Sequence, residues 1–323
     1  MSGPLVIGHR GASGHRPEHT ASAYRLAWRM GADSVEPDVV STRDGVLVCR
    51  HDLNLARTTD VASRPEFAER RRRLVVDGTA QHGWFVQDFD LSEVRELRTR
   101  ERWPRKRPGS ARYDGHFHVV TLEELLELRE SESARAGRRL GVHIELKHTD
   151  VFERMGLPLH EPLVDLLRTH GLSSPLSPAS VMAFDSRVLK RLRRESDVPL
   201  VRLLDKNESL RRGRLQRIGA YASAVGLHKQ HALAPSGRNR VGRPGAAVTA
   251  AFDVGLDVLV WTLRNENRHL PQELRSPGRP RSHGDAATEV ARLFDLGVDG
   301  VLTDFPETAV QVRASRTAAA LLA

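Results

Sequence analysis

The sequence predicts an α/β protein, specifically a (β/α)8 TIM barrel with an insertion after the second βα region. Short β-rich segments alternate with amphipathic stretches of helical length along the 323 residues, which is typical of βα units and a parallel sheet. About eight such units in a chain of this length favour a closed barrel over an open doubly wound sheet. No G-x-G-x-x-G pattern follows the first strand, which removes the main reason to prefer a dinucleotide-binding fold.

The strands are predicted from short apolar and β-branched runs. These runs are Leu5–Gly8, Ser34–Val40, Val46–Arg50, Leu140–Leu146, Ser180–Phe184, Leu200–Leu203, Ala222–Leu227, Leu256–Trp261 and Gly300–Leu302. Amphipathic periodicity predicts helices over Ala21–Met30, Pro162–His170, Ser186–Glu195 and Ala286–Leu296. Capping-box patterns, Thr121 with Glu124 and Asp90 with Glu93, predict two further helix starts.

The segment from Leu53 to His118 breaks this alternation and is predicted to be an ordered insertion above the barrel. It is too long for a simple connection between a strand and a helix. It also carries aromatic side chains that flexible linkers rarely contain, among them Trp84, Phe85, Phe89, Trp103, Tyr113 and Phe117. Residues 1–323 are therefore predicted to form a single TIM-barrel domain with an insertion at about 53–118. Asn265–Asp285, rich in Pro, Arg and Gly, is predicted to be an exposed loop.

The composition excludes several classes of protein. Apolar residues make up 39% and charged residues 28% of the chain, which excludes wholesale disorder and a collagen-like repeat. No apolar run approaches the roughly 20 residues of a membrane-spanning helix, and no stable membrane insertion is expected. Cys49 is the single cysteine, which excludes an intramolecular disulfide. Because the first residues lack the basic and apolar regions of an export signal, a cytoplasmic location is predicted for the chain as written. A periplasmic or secreted location would require that an export segment was removed.

The chain is strongly basic, with a net charge of +9 and a sequence pI of about 10.4. Such a surface favours anionic partners, but it does not distinguish a nucleic acid from a membrane face or a small phosphate ester. The arginine run Arg70–Arg73 follows Glu66 and Glu69, and no recognisable nucleic-acid module surrounds it. We interpret the run as a solvated face and expect no nucleic-acid partner.

Glu36 and Asp38 are the first candidates for chemistry. Period-two alternation along Ser34–Val40 places both side chains on one face of the strand. Two carboxylates so close together on an inner barrel strand repel each other and lose hydration unless a cation lies between them. The alternative is an edge strand with both acids in water. Pro37 keeps this alternative open, because proline lacks the N–H group that a central strand uses.

The segment Gly141–Lys147 adds a third carboxylate. The same alternation places His143, Glu145 and Lys147 on one face of a strand. Glu145 would supply a third hard oxygen ligand, and Lys147 a point charge for a phosphate. Three carboxylates without a cysteine cluster favour Mg²⁺ or Ca²⁺ over Zn²⁺. The sequence therefore predicts one divalent cation, either Ca²⁺ or Mg²⁺.

Two histidines stand at the ends of predicted strands. His9 is followed by Arg10, and His51 is followed by Asp52. The loops after the strand ends form the active face of a TIM barrel, although a lone His-Arg pair is also typical of a surface or capping position. Two histidines beside a bound phosphate can share the roles of general acid and base. Together with the acids, they predict a phosphoryl-transfer site.

Taken in order, these motifs resemble those of the glycerophosphodiester phosphodiesterase family. They are His9-Arg10-Gly11-Ala12-Ser13-Gly14 with Pro17-Glu18-His19-Thr20, Glu36-x-Asp38, His51-Asp52, Glu145-Leu146-Lys147 and Thr303-Asp304-Phe305-Pro306. The match runs from about residue 5 to residue 312. The insertion is similar to that of a longer bacterial subgroup best known from periplasmic enzymes, and His19 in place of the commoner Asn also belongs to that subgroup.

The resemblance implies a role for each motif residue. The implied roles are general acid and base for His9 and His51, cation ligands for Glu36, Asp38 and Glu145, phosphate binding for Arg10 and Lys147, and support of the first loop for Glu18. Phe184 and Trp261 would line the glycerol-side pocket, although an aromatic residue at a strand end is more often part of the core.

The implied reaction is the metal-dependent hydrolysis of small glycerophosphodiesters, such as glycerophosphocholine or glycerophosphoethanolamine, to glycerol 3-phosphate and an alcohol. The attacking group would be water or the neighbouring glycerol hydroxyl, the latter through a cyclic phosphate. One alternative is a lysophospholipase-D-type or other lipid phosphodiesterase, for which Trp84, Phe85 and Trp103 are the candidate apolar rim. Another is a non-catalytic barrel that binds an anion or a nucleic acid. The preferred head group and the oligomeric state are left open.

Overall fold

A computed structural model of the chain describes residues 3–208, 210–233 and 245–322. The strands are β1 (Leu5–His9), β2 (Ser34–Glu36), β3 (Asp38–Ser41), β4 (Leu47–Cys49), β5 (Arg72–Val76), β6 (Thr79–Gly83), β7 (Gly141–Leu146), β8 (Ala179–Ala183), β9 (Leu200–Leu204), β10 (Ala224–His228), β11 (Asp257–Leu263) and β12 (Gly300–Thr303).

The helices lie mainly between the strands. They are α1 (Ala21–Arg29), α2 (Leu91–Glu96), α3 (Pro108–Ala111), α4 (Leu122–Ala136), α5 (Thr149–Arg154), α6 (His160–Thr169), α7 (Ser186–Glu195), α8 (Arg212–Gly219), α9 (Lys229–Ala232), α10 (Ala246–Phe252), α11 (Ala286–Asp295) and α12 (Pro306–Leu322). Short 3₁₀ helices occupy Leu55–Arg57, Val61–Ser63, Pro65–Arg70, Val86–Asp88, Asn267–His269 and Gln272–Leu274.

The parallel strands close into a barrel. β1 lies between β12 and β2, β2 pairs with β7, and the order then continues through β8, β9, β10 and β11 back to β12. Helices connect most neighbouring strands on the outside. The predicted (β/α)8 TIM barrel is confirmed.

The second barrel strand extends beyond the rim and turns back on itself. Pro37 separates β2 from β3, which together replace the single predicted strand Ser34–Val40. The carbonyl of Pro37 still accepts a hydrogen bond of 2.8 Å from the Glu145 N–H, and β3 pairs with the antiparallel β4 on its other side. The strand is therefore central, and the missing N–H of Pro37 marks the point where the barrel strand leaves the barrel for the β3–β4 hairpin.

Local sequence signals account for the element boundaries. Both predicted capping boxes are present, with reciprocal hydrogen bonds between Thr121 and Glu124 and between Asp90 and Glu93. α7 covers the predicted range, and its first turn is capped by the carboxylate of Asp185. The helix predicted over Leu122–Arg129 begins as expected but continues to Ala136, and the other predicted strands and helices match the structure to within one or two residues at each end.

Apolar side chains form two layers. Inside the barrel, a small cluster consists of Ile7, Met182, Val201, Leu203, Ala224, Leu259 and Leu302. The larger layer lies between the barrel and its helices and continues into the segment 53–118. Because strand side chains alternate in direction, Val142, Ile144 and Leu146 enter the outer layer, which leaves the other face of β7 free for polar groups.

The segment from Leu53 to His118 folds as an ordered unit around the β5–β6 hairpin, α2 and α3. Phe85 and Phe89 are fully buried, and the indole of Trp84 donates to the Phe67 carbonyl at 2.6 Å. In its arginine run, Arg70 pairs with Glu93 and Arg72 pairs with Asp88. Trp84, Phe85 and Phe89 belong to the larger apolar layer, whereas Trp103, Tyr113 and Phe117 are half-buried outside it. The boundaries of the single domain over 1–323 stay a prediction.

The prediction of an exposed loop over Asn265–Asp285 is wrong in part. The loop contains two 3₁₀ turns, and Leu270 and Leu274 are buried. The buried side chain of Asn267 donates to the Ser276 carbonyl and accepts from its N–H, both at 2.9 Å. These two hydrogen bonds hold the loop in a defined shape beside the barrel mouth.

No helix in the described ranges combines the length and the apolar character needed to cross a membrane.

Close packing around Gly141, the first residue of β7, predicts that substitutions of two glycines differ in their effect on stability. A Cβ on Gly141 would lie 2.1 Å from Ser34 Oγ and 2.8 Å from the Pro178 carbonyl oxygen, and overpacking of this kind typically costs about 1–3 kcal/mol. We expect Gly141→Ala to lower the free energy of unfolding measured with a denaturant. The control, Gly213→Ala in the exposed α8, has open space around it and should be neutral or gain up to about 1 kcal/mol. Equal stability of the two variants would contradict this packing.

Candidate active site

Three carboxylates meet at the rim of the barrel. Glu36 ends β2, Asp38 begins β3, and Asp38 lies opposite Glu145 of β7 in the strand register. Each of the three offers a carboxylate oxygen within 4.8 Å of the others. Glu36 and Asp38 are fully buried, and Glu145 is 9% exposed. The residues that the sequence singled out therefore come together, and the alternative of an edge strand with both acids in water is wrong.

The buried carboxyl groups of this cluster have shifted pKa values. Burial and the nearby charges of Asp38 and Glu145 raise the pKa of Glu36 well above its ordinary value. Burial also raises the pKa of Glu145 to about 7, with Lys147 only partly offsetting it. Burial alone would raise the pKa of Asp38, but the Arg10 guanidinium, the Lys147 charge and the hydrogen bond with His19 together hold that pKa well below the ordinary value. Such a cluster is stabilised either by a proton on one of the carboxyl groups or by a bound cation.

Two oxygens of the cluster point to a ligand. Among the described residues, Glu36 Oε1 and Asp38 Oδ1 are buried without a hydrogen-bond partner. Buried polar atoms are normally paired, so each exception requires an explanation. A set of hard carboxylate oxygens is the donor set that Mg²⁺ and Ca²⁺ prefer. The residues present therefore fit one divalent cation.

Arg10 and Lys147 border the acidic cluster. Arg10 Nε lies 3.0 Å from Asp38 Oδ2, and Lys147 Nζ lies 2.8 Å from Glu145 Oε1. Arg10 adopts a left-handed backbone conformation (φ 59°), stabilised by hydrogen bonds from its N–H to the carbonyl and the carboxylate of Glu36 at 2.8 and 3.0 Å. Non-glycine residues in this region are strained and cluster at functional sites. Glu18, the predicted support of the first loop, accepts from Arg10 Nη1 at 3.1 Å.

Each predicted catalytic histidine is backed by an aspartate. His9 Nδ1 donates to Asp304 Oδ1 at 2.6 Å, and His51 Nδ1 donates to Asp52 Oδ1 at 2.7 Å. Because ionised carboxylates only accept, both rings carry their proton on Nδ1 and leave Nε2 available. Burial, followed by the charge of Arg10, lowers the pKa of His9 to about 4 and that of His51 to about 3. Both rings are therefore neutral at pH 7 in the ligand-free site.

Sequence reasoning did not assign roles to three residues of this site. Asp52 and Asp304 both belong to the motifs that resemble the family. The signal in the sequence was the position of each acid: Asp52 directly follows His51, and Asp304 directly follows the last strand. His19 was noted only as a subgroup feature. It is fully buried, with Nε2 3.0 Å from Asp38 Oδ2 and Nδ1 2.8 Å from the Tyr24 hydroxyl. His19 therefore orients Asp38.

One cavity is bordered by both histidines, Arg10, Lys147 and Glu145, whereas the fully buried Glu36 and Asp38 are not among its lining residues. It has a volume of about 470 Å³. Its lining includes the predicted residues His9, Arg10, His51, Glu145, Lys147, Phe184 and Trp261, and also Leu203, His228, Lys229, Gln230, Thr262, Arg264, Arg268, His269 and Leu302. The rings of Phe184 and Trp261 meet edge to face with their centroids 5.5 Å apart, and they form an aromatic wall beside the phosphate-binding candidates. Three further cations of the lining, Lys229, Arg264 and Arg268, were not predicted.

The sequence matches a known family along nearly its whole length. The model of the glycerophosphoryl diester phosphodiesterase family matches residues 9–308. The glycerophosphodiester phosphodiesterase GDPD6 of Arabidopsis thaliana is 32% identical, over 94% of this chain and 84% of that protein. The glycerophosphodiester phosphodiesterase of Haemophilus influenzae is 27% identical, over 96% of this chain and 90% of that protein.

A solved structure shares the fold. A phosphodiesterase of Oleispira antarctica, in complex with its product sn-glycerol-3-phosphate, superposes with a TM-score of 0.65 at 21% identity, over 96% of each chain. The chain therefore combines a match to the family model over residues 9–308 with the fold of a solved phosphodiesterase. The chain belongs to the glycerophosphoryl diester phosphodiesterase family and is an enzyme, a phosphoric diester hydrolase that acts on glycerophosphodiesters.

Proposed function

We propose that this enzyme hydrolyses small glycerophosphodiesters, such as glycerophosphocholine or glycerophosphoethanolamine, to glycerol 3-phosphate and an alcohol. His9 and His51 act as the general acid and base, and Glu36, Asp38 and Glu145 hold one Mg²⁺ or Ca²⁺ ion. The observation that carries the proposal is the pair of buried, unpartnered carboxylate oxygens beside two carboxylate-backed histidines on one cavity. The sn-glycerol-3-phosphate product held by the Oleispira relative supports the same choice of product.

The phosphate is bound by Arg10 and Lys147. A phosphodiester anion repels nucleophiles, and two cations on its non-bridging oxygens neutralise that charge and stabilise the charge gained in the transition state. When bound, the divalent cation supplies Lewis-acid polarisation of a phosphoryl oxygen. Lys147 forms an ion pair with Glu145, and Arg10 forms one with Asp38. These pairs hold the two cationic side chains beside the proposed phosphate position before substrate binds.

The two histidines move the protons. One accepts a proton from the attacking hydroxyl, either of water or of the neighbouring glycerol carbon, and the other donates one to the leaving alcohol oxygen. If the glycerol hydroxyl attacks, the first products are a cyclic phosphate and the alcohol, and water then opens the ring to glycerol 3-phosphate with the two histidines in exchanged roles. Each such transfer typically contributes about 10²–10⁴-fold to the rate. Nδ1 of both rings is held by Asp52 and Asp304, so Nε2 is the nitrogen that exchanges protons. A bound phosphate anion favours the protonated form of a nearby histidine, which supplies the acid.

The shape of the cavity supports a small head group over a lipid. The volume of about 470 Å³ suits a small molecule, and charged and polar side chains dominate the lining. Of the three residues that the sequence suggests as an apolar rim, Trp84 and Phe85 are buried in the core. The third, Trp103, is half-buried, with the Arg107 and Arg264 guanidinium groups 5.2 and 5.7 Å from its ring centre. The large apolar side chains that are exposed, Leu5, Val75, Met155, Leu176 and Phe252, lie outside the cavity lining. Phe184 and Trp261 are proposed to line the glycerol side.

The charge of the chain does not favour a nucleic acid. Two of the four arginines in the run that raised this possibility are paired with acids, Arg70 with Glu93 and Arg72 with Asp88. The cytoplasmic location of the enzyme stays a prediction.

We expect metal removal to abolish activity. Treatment with EDTA should stop the release of glycerol 3-phosphate from glycerophosphocholine, and Mg²⁺ or Ca²⁺ should restore it. Because a ligand that binds only the folded state stabilises it, the added ion should also raise the melting temperature of the chelated protein. Asp38→Asn should lose both effects, whereas the exposed control Asp165→Asn should keep them. Undiminished turnover after chelation would contradict the assignment.

We expect both histidines to be needed for turnover. His9→Ala and His51→Ala should each lower kcat by about 10²–10⁴-fold while the melting temperature stays near that of the wild type. His116→Ala provides the matched control, because His116 is exposed and lies away from the cavity lining. Steady-state kinetics on glycerophosphocholine provide the measurement, and a folded His51→Ala protein with full kcat would overturn the pair.

We expect the enzyme to prefer glycerophosphocholine to lysophosphatidylcholine. The two substrates share the phosphocholine group and differ in the acyl chain, which has no apolar groove in the described cavity lining. The ratio of kcat/KM values, measured below the micelle concentration of the lipid, tests this expectation. A higher value for the lipid would instead favour the lysophospholipase-D-type alternative.

A further inference from the structure

One loop of the insertion reaches both histidines of the proposed acid/base pair. It runs over residues 101–107 and carries Arg102 and Arg107. Their side chains are only 6% and 5% exposed. An arginine is almost never this deeply buried unless it is paired, and each of these two is paired with the carboxylate that backs one histidine.

Arg102 bonds the aspartate that holds His51. Its Nη1 donates to Asp52 Oδ2 at 2.6 Å, and the other oxygen of Asp52 accepts from His51 at 2.7 Å. Arg102 also forms a two-point contact with Glu18, through Nε at 2.8 Å and Nη2 at 2.7 Å. Glu18 in turn bonds Arg10. The fork of Arg102 therefore fixes the aspartate by tying it to the first loop of the barrel.

Arg107 likewise bonds the aspartate that holds His9. Its Nη2 donates to Asp304 Oδ2 at 2.6 Å, and the other oxygen of Asp304 accepts from His9 at 2.6 Å. Its Nε bonds Glu266 at 2.7 Å, and its Nη1 bonds the Ser13 carbonyl at 3.1 Å. The two arrangements are alike although His9 and His51 come from different strands, and both arginines come from one loop.

The loop is itself held in place. The buried Glu101 accepts from the Trp103 N–H at 2.9 Å and from the Ser110 hydroxyl at 2.6 Å. The Arg107 guanidinium also lies over the Trp103 ring, 5.2 Å from its centre. These contacts set the spacing between the two arginines, so that both aspartates are engaged at once.

A guanidinium on the outer oxygen gives each aspartate a fixed position and charge. Burial alone would raise the pKa of Asp304, but Arg264 and Arg107 outweigh it and keep that pKa well below its ordinary value. Burial would likewise raise the pKa of Asp52, which the hydrogen bond from His51 and the charge of Arg102 lower instead. An ionised, immobile carboxylate holds the ring orientation and keeps the proton on Nδ1. An unpaired one would rotate or take up a proton.

We infer that Arg102 and Arg107 are positioning residues, through which the insertion orients His51 and His9 for proton transfer. This inference rests on the proposed function, because it assigns meaning to the histidine pair. Neither arginine lines the cavity, so each acts through its aspartate and not on the substrate. Asp304 also accepts from Arg264 Nε at 2.7 Å, whereas Arg102 is the arginine that bonds Asp52. The consequence is that the loop of the insertion takes part in orienting both histidines, together with Arg264 on the His9 side.

The experiment compares three substitutions in this one loop. Arg102→Ala and Arg107→Ala should each lower kcat on glycerophosphocholine by about 10–100-fold, the usual cost of losing the partner that orients a functional side chain. Arg107→Ala should leave KM nearly unchanged. The matched control is Arg105→Ala, since Arg105 is exposed and its side chain makes no hydrogen bond or ion pair within the described ranges. The control should keep the wild-type kcat and KM.

A double-mutant cycle separates positioning from a general loss of structure. In an Asp52→Asn background, Arg102→Ala should cost little further kcat, because its partner is already lost. In an Asp304→Asn background, Arg102→Ala should still lower kcat by its full factor. Arg107→Ala should show the reverse pattern. A merely structural role would give the same cost in both backgrounds and would overturn the inference.

Lysine variants keep the test decisive if an alanine variant fails to fold. Arg102→Lys and Arg107→Lys retain the charge and the aliphatic stem but lose the two-point fork, and a folded lysine variant should recover part of kcat. A folded lysine variant with full kcat would overturn the need for the fork. Failure of the proposed function is distinguishable, because His9→Ala and His51→Ala would then be active. If the histidine variants are inactive while folded Arg102→Ala and Arg107→Ala proteins keep full kcat, only the inference fails.

Discussion

Three carboxylates are buried at one point of the barrel rim, and most of the surrounding structure compensates their charge. Asp38 and Glu145 are register neighbours on adjacent strands, and Glu36 precedes Asp38 by two residues. Their mutual repulsion in a space with little water is relieved by Arg10 and Lys147 at contact distance. Two oxygens nevertheless keep no partner among the described residues, which is the physical basis for proposing a divalent cation.

Arginine serves this protein as a buried counterion. Arg10, Arg102 and Arg107 each bond two or more groups with side chains that are 11%, 6% and 5% exposed. A guanidinium suits this role because it stays charged when buried and binds carboxylates through a rigid fork. Part of the positive charge is therefore internal to the site, where it holds acids in place. Two arginines of the run on the insertion, Arg70 and Arg72, are paired with acids as well.

The fold and the centre of the site were predictable because both depend on local patterns. Alternation along a strand decides which side chains share a face, and this placed Glu36 with Asp38 and Glu145 with Lys147 before any contact was known. Capping signals at Thr121 and Asp90 located helix starts correctly. Pro37, which made an edge strand conceivable, instead marks where a central strand leaves the barrel. The loop after Asn265 was wrongly expected to be exposed, because burial of a loop depends on what packs over it.

The sequence by itself determined the barrel class, most of its strands and the acidic cluster, since each follows from spacing along a few neighbouring residues. The resemblance of its motifs to a known family singled out the two histidines. Only the tertiary structure decided which groups stand behind those histidines. His9 meets Asp304 across 295 residues of chain, and Arg107 reaches the same carboxylate across 197. Contacts of this kind leave no periodic trace in the sequence, because chain closure and the docking of the insertion bring the partners together, not their local spacing.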